Sequence, residues 1–137
     1  MKKSVVIVIG LIYVISLFVV TLFGIKHKTF NEIVYVEQVE IIDSKAEYLA
    51  DGSKFIRLYP DENDICTYQL NWKITPENAA NPDVVFIYDQ KENFSVDENG
   101  LVTYVSYGYL DIVTVTVRSV DGTKKEDTIK FMFMPKN

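Results

Sequence analysis

Two acidic tetrads, one histidine, one cysteine and one cluster of tyrosines carry the side chains in this chain able to do chemistry. Asp61-Glu62-Asn63-Asp64 and Asp97-Glu98-Asn99-Gly100 each gather oxygen donors of the kind that hold hard cations. Neither has the D-x-D-x-D-G-x₅-E spacing that wraps Ca²⁺, so both read as solvated turns, and no metal or cofactor is expected. His27 is the only histidine and has no partner at metal-ligand or triad spacing. Cys66 is the only cysteine, which excludes a disulfide within the chain; its alternating position predicts a buried thiol. Tyr104, Tyr107 and Tyr109 cluster around Gly108, with Tyr88 on a nearby strand. Tyrosines in such a group can stack on sugar rings or anchor a protein interface, and these four are the candidate partner-binding residues. There is no G-x-S-x-G, no phosphate-binding glycine loop and no Cys/His cluster. The expectation is a protein that binds rather than an enzyme, with no catalytic residue.

The elements that must position these groups begin with an apolar run, VVIVIGLIYVISLFVVTLFGI, over residues 5–25. As a helix it is about 31 Å long, enough to cross the hydrocarbon core of a bilayer. The preceding Met1-Lys2-Lys3 is a basic n-region, but the run is longer than a cleavable h-region and ends without a small-x-small site. It therefore reads as an uncleaved signal anchor. The amino terminus, Lys2 and Lys3 outweigh Lys26 and Lys28, which places the short N-terminus inside and the remainder extracytoplasmic. All nineteen acidic residues follow residue 28, where only ten of the fourteen basic residues lie, so the rest of the chain carries a net −9. A domain this acidic repels nucleic acid and anionic headgroups. The expected organisation is a cytoplasmic segment at 1–4, a transmembrane helix at 5–25, a linker at 26–32 and a β domain at 33–137.

Beyond the linker the periodicity is that of strands. Residues 66–75 alternate strictly, with Cys66, Tyr68, Leu70, Trp72 and Ile74 on one face. Val113, Val115 and Val117 form a second such face, and Ile129, Phe131 and Phe133 a third. Weaker strands are expected at 33–36 and 39–42, which differ in phase and imply a bulge, and at 55–59, 84–88, 94–96 and 101–107. Residues 44–50 could form a helical turn. Turn residues separate the runs at 60–64, 81–83, 97–100 and 121–122. Seven or eight short strands at regular spacing indicate an all-β sandwich behind one N-terminal transmembrane helix.

Four segments extend this reading. Ile74-Thr75-Pro76-Glu77-Asn78-Ala79 resembles a V-x-P-x-N-A strand end, and Phe94-Ser95-Val96-Asp97-Glu98-Asn99-Gly100-Leu101-Val102-Thr103 an A-T-V-D-x-x-G-x-V-T hairpin. Residues 111–117 resemble an A-x-I-T-V-T strand with Gly108 ahead of it, and Asp121-Gly122-Thr123 the turn into a last strand. Together, residues from about 36 to 133 resemble the bacterial Ig-like domains of group 2, modules of intimin- and invasin-like adhesins and other surface proteins. Phe86 stands where that family has a tryptophan, and residues 44–64 lack its pattern. The resemblance implies an Ig-like sandwich at the cell surface, with no catalytic or cofactor residues. The function expected is non-catalytic binding of a protein or glycan, as in adhesion, close to the membrane held by residues 5–25. The alternative is a structural or accessory subunit of an envelope complex, docked through helix and sandwich.

Overall fold

The computed structural model describes residues 2–24 and 32–136, except the side chains of residues 23 and 24. The chain divides into two compact units, Met1–Ile33 and Val34–Asn137. The first holds the helix α1 (Lys3–Gly24). Its 22 residues correspond to about 33 Å of rise, and it begins two residues before the expected span. Ile25, Lys26, His27 and Lys28, with nearly all of the expected linker, lie outside the described residues. Side chains 3–22 are all exposed and the apolar ones run round the whole circumference, so the helix has no single stripe to bury against a protein core. The Thr21 hydroxyl donates to the carbonyls of Leu17 (3.0 Å) and Phe18 (2.9 Å). That satisfies its polar group within the helix, as an apolar solvent requires. The helix is long and apolar enough either to cross a membrane or to serve as a signal sequence.

The second unit is built from ten strands: β1 (Gln38–Ile41), β2 (Glu47–Tyr48), β3 (Lys54–Leu58), β4 (Ile65–Gln69), β5 (Trp72–Thr75), β6 (Val84–Tyr88), β7 (Phe94–Val96), β8 (Leu101–Val105), β9 (Asp111–Ser119) and β10 (Glu126–Phe133). They form three open sheets, ordered β2-β3-β10-β9-β6, β4-β8-β7 and β1-β5. Every pair is antiparallel except β3 with β10. The core lies between the five-stranded sheet and the two smaller ones, a sandwich-like arrangement. Tyr104 of β8 stacks on Phe133 of β10 at 3.8 Å between centroids. Tyr68 of β4 meets Phe131 (5.6 Å), and Trp72 of β5 meets Phe86 of β6 edge-on (5.2 Å). The three expected inward faces all point here: Val113, Val115, Val117, Ile129, Phe131 and Phe133 are buried, and from Cys66 to Ile74 each apolar residue is more covered than the polar one beside it.

The ten strands exceed the seven or eight expected for two reasons. The run 66–75 keeps its alternation but changes partner: β4 pairs with β8, while β5 pairs with β1. At the junction Leu70 N donates to Gly100 O (3.0 Å) and Ile42 N donates to Asn71 O (2.9 Å). The second reason lies in residues 44–50, read from the sequence as able to form a short helical turn. Glu47 and Tyr48 instead pair with Phe55 and Lys54 as β2, because the turn after it, with Gly52 at φ 81°, folds the chain back on itself. Two smaller differences follow from long-range bonds. Residues 33–36 form no strand; Val36 is buried and its amide donates to Asp121 Oδ2 (2.6 Å). The strand expected over 101–107 ends at Val105, where Ser106 N turns to Asp64 O (2.7 Å).

Two aspartates tie the sheets together. Asp121 accepts from the Thr123 hydroxyl (2.6 Å) and amide (3.0 Å) as well as from Val36 N. The Thr123 hydroxyl bond, with the Val36 amide, outweighs desolvation and holds the Asp121 carboxyl at about 2. Burial pushes Asp127 up, but its ion pair with Lys54 and the amides of Ile41 and Thr128 more than reverse this, leaving it below its usual value. Both carboxyls are more acidic in the folded domain than in the unfolded chain, so the unfolded state takes up protons first. Their stabilisation is complete above the ordinary carboxylate range near pH 4 and disappears as pH falls through the folded values, about 2 for Asp121. Thermal melts from roughly pH 5 to pH 2 should therefore show a steep fall in Tm. Asp121→Asn should flatten that fall; an unchanged slope would show that Asp121 does not contribute to it.

Candidate partner-binding surface

The four candidate tyrosines separate into two pairs. Tyr104 is fully buried on β8, its ring on Phe133 and its hydroxyl donating to Asp111 Oδ2 (3.3 Å). Burial, and then the adjacent Asp111 carboxylate, push its phenol up to about 12. Tyr104 is thus a core residue and cannot touch a partner, which corrects its inclusion with the surface group. Period two carried the signal: Val102, two residues earlier on the same strand, also faces inward. Tyr88 is half-covered on β6, packs edge-on against Phe94 (5.1 Å), and its hydroxyl accepts from Val96 N (3.4 Å). It joins β6 to β7 rather than standing with the other tyrosines.

Tyr107 and Tyr109 are exposed and lie together, ring centroids 6.2 Å apart. They flank Gly108, whose φ of 82° reverses the chain between β8 and β9, and Gly108 N donates to the Ser106 hydroxyl (3.2 Å). Ser106 is itself buried, so the base of the loop is held while its aromatic tip stands in solvent. Leu110 and Ile112 continue the exposed apolar surface along the chain. Leu110 was not among the candidates; an apolar residue outside any strand phase, beside two exposed tyrosines, is the signal that could have found it.

This loop sits at the start of β9, whereas Val36 is bonded to Asp121 just beyond the end of β9. The chain thus enters the β domain at one end of the sandwich and presents the tyrosine pair at the other. The nine residues of β9 separate them by about 27 Å.

The two acidic tetrads prove to be the same turn used twice. Asp61 Oδ1 accepts from Asn63 N (2.9 Å) and Ile65 N (2.9 Å); Asp97 Oδ1 accepts from Asn99 N (2.9 Å) and Leu101 N (2.8 Å). In both, the fourth residue has positive φ, 63° at Asp64 and 81° at Gly100. One carboxylate oxygen in each is therefore bonded to its own turn. Asp64 in addition pairs with Lys136 (3.1 Å). Among the described residues no three His, Cys, Asp or Glu side chains gather as a metal site would require. Cys66 is buried on β4, and burial, followed by the charge of Asp61, raises its thiol pKa. Asn93, which opens a formal glycosylation sequon, lies in the turn before β7 rather than on the strand, and its side-chain amide donates to Val105 O (3.0 Å).

No protein-family model matches this chain and no curated protein matches it. What sequence and fold together establish is an N-terminal apolar helix followed by a β-rich, sandwich-like domain of three open sheets.

Proposed function

We propose that this chain is a membrane-anchored, extracytoplasmic binding module of Ig-like type, acting without catalysis through the Tyr107–Tyr109 corner. The observation that carries this reading is the exposed tyrosine pair at the end of the sandwich opposite the point where the chain enters it. Aromatic side chains with few rotatable bonds, held on a braced loop, bind with little loss of conformational freedom and dominate recognition surfaces. The helix α1 keeps the module at the membrane, and the net −9 beyond residue 28 suits a domain standing clear of anionic headgroups. Recognition of a protein or glycan of the cell envelope fits both.

Full-length chain in neutral detergent micelles should retain material from the envelope fraction of the producing cells. Tyr107→Ala with Tyr109→Ala should weaken that retention by about ten-fold or more, as hot-spot tyrosines do, with the melting temperature unchanged. Equal retention by the double variant would remove the tyrosine corner as the binding surface.

A further inference from the structure

A different face of the domain carries a second interaction surface. The five-stranded sheet ends at β6 and the three-stranded sheet ends at β7, and Tyr88 and Phe94 bring these two free edges together. The direction of the β6 amides follows from its one neighbour. Val120 N donates to Asp83 O (3.2 Å), while Ser119 N turns the other way, to Lys125 O (2.8 Å). In an antiparallel ladder successive residues alternate in the direction of their N–H and C=O groups. Val85 and Ile87 therefore bond to β9, and Val84, Phe86 and Tyr88 aim their backbone groups outward, where no strand among the described residues receives them.

The side chains of these same three residues line a groove of about 560 Å³ between the layers, with Trp72 and Val96 on the other side. Asp83, Asp97 and Glu98 also line it, and among the described residues no lysine or arginine does. None of the three forms an ion pair among the described residues. Edge strands are ordinarily blocked by a lysine, a bulge or a covering loop. The β6 sequence VVFIY has no lysine, its register with β9 runs without a bulge, and Val85 and Ile87 stand exposed on its outer side.

We propose that β6 is a docking edge for an extended, basic segment of a partner protein. The segment adds a strand beside Val84, Phe86 and Tyr88; the row of alternate side chains that faces the groove carries lysine or arginine, with stems over the apolar lining and charged heads against Asp83, Asp97 and Glu98, and the other row is apolar and lies beside the exposed Val85 and Ile87. Charge decides between this occupant and a second copy of the chain. Two β6 edges paired antiparallel about Phe86 would set Asp83 of each copy opposite Asp89 of the other, and both domains carry a net negative charge. The same carboxylates that repel a second copy attract a cationic strand.

The test uses full-length chain in neutral detergent micelles. The probes are capped seven-residue peptides of alternating lysine and valine, their glutamate counterparts, and lysine peptides N-methylated on alternate amides in each of the two phases. The lysine peptide should bind, with slowed solvent exchange at the amides of Val84, Phe86 and Tyr88. The glutamate peptide and one N-methylated phase should bind about ten-fold more weakly or worse, since they lose the charge match and the backbone bonds respectively. Glu98→Lys should weaken the lysine peptide without lowering the melting temperature. Equal binding by both N-methylated phases would show simple charge attraction and overturn strand addition, and equal binding by the glutamate peptide would overturn the basic partner. No binding, or protection of the same amides by dimerisation without peptide, would overturn the proposal outright. The tyrosine double variant should bind these peptides normally, so this edge and the tyrosine corner stand or fall separately.

Discussion

Gly100→Ala should destabilise the β domain by about 2–4 kcal/mol, read as a lowered midpoint in urea. Two separate causes add. Gly100 has φ 81°, a conformation that costs an L-residue on the order of 1–2 kcal/mol. In addition, a Cβ there would lie 2.7 Å from the Trp72 ring, 3.1 Å from Leu70 O and 3.4 Å from the Phe86 ring. None of these neighbours yields easily. Trp72 is wedged edge-on against Phe86, and Leu70 is fully buried with its amide bonded to Gly100 O. The β7–β8 hairpin therefore presses its turn onto the junction where β4 passes into β5, and a methyl group pushes two sheets apart. Trp72 is the only tryptophan in the chain, so its fluorescence reports on the contact itself. Gly108 is the control: its φ is 82° but nothing lies within 4 Å of a Cβ there. Gly108→Ala should cost only the conformational part, about 1–2 kcal/mol. Equal losses at the two glycines would mean that the close approach to Trp72 contributes nothing.

Leu11→Arg combined with Ile15→Arg should release the chain from membranes. Both residues lie near the middle of α1, and a central arginine costs about 2.5–3.5 kcal/mol on insertion scales, before the loss of the apolar side chain it replaces. Two together outweigh what the remaining run can offset without deep distortion of the bilayer. Alkaline carbonate extraction should leave the parent chain in the pellet and move the double variant to the supernatant. The second compact unit lies wholly outside α1, so its urea midpoint should stay the same. A double variant that stays in the pellet would rule out α1 as the anchor. Mass spectrometry of the parent chain from membranes should find residues 3–24 retained; their absence would identify the helix as a cleaved signal.

The parts of the fold legible in the sequence were those set by residues a few positions apart. Alternation along 66–74, 113–117 and 129–133 determined which side chains face the core, because successive side chains of a strand leave on opposite sides whatever the partner. The Asp-Glu-Asn turns were legible for the same reason: the aspartate oxygen and the amides it accepts lie within four residues. Tyr104 was legible too, through its phase with Val102, but its position in a tyrosine-rich stretch gave it the wrong role. Other features were not there to be read. Nothing local in residues 66–75 says that β4 and β5 join different sheets, since that depends on Gly100 and on Ile42. Nor does the sequence near Val36 show that Asp121, 85 positions away, holds its amide.

By itself, then, the sequence determined an apolar helix long enough to span a bilayer, an acidic domain of strands behind it, and the inward faces and turns of most of those strands. Each follows from hydrophobicity, charge or backbone preference over a short window. Only the tertiary structure decided the order of the sheets, the division of the tyrosines between core and surface, and the free β6 edge above its acidic groove. Those depend on which distant segments supply hydrogen-bond partners and cover, and a single chain read in order does not contain that pairing.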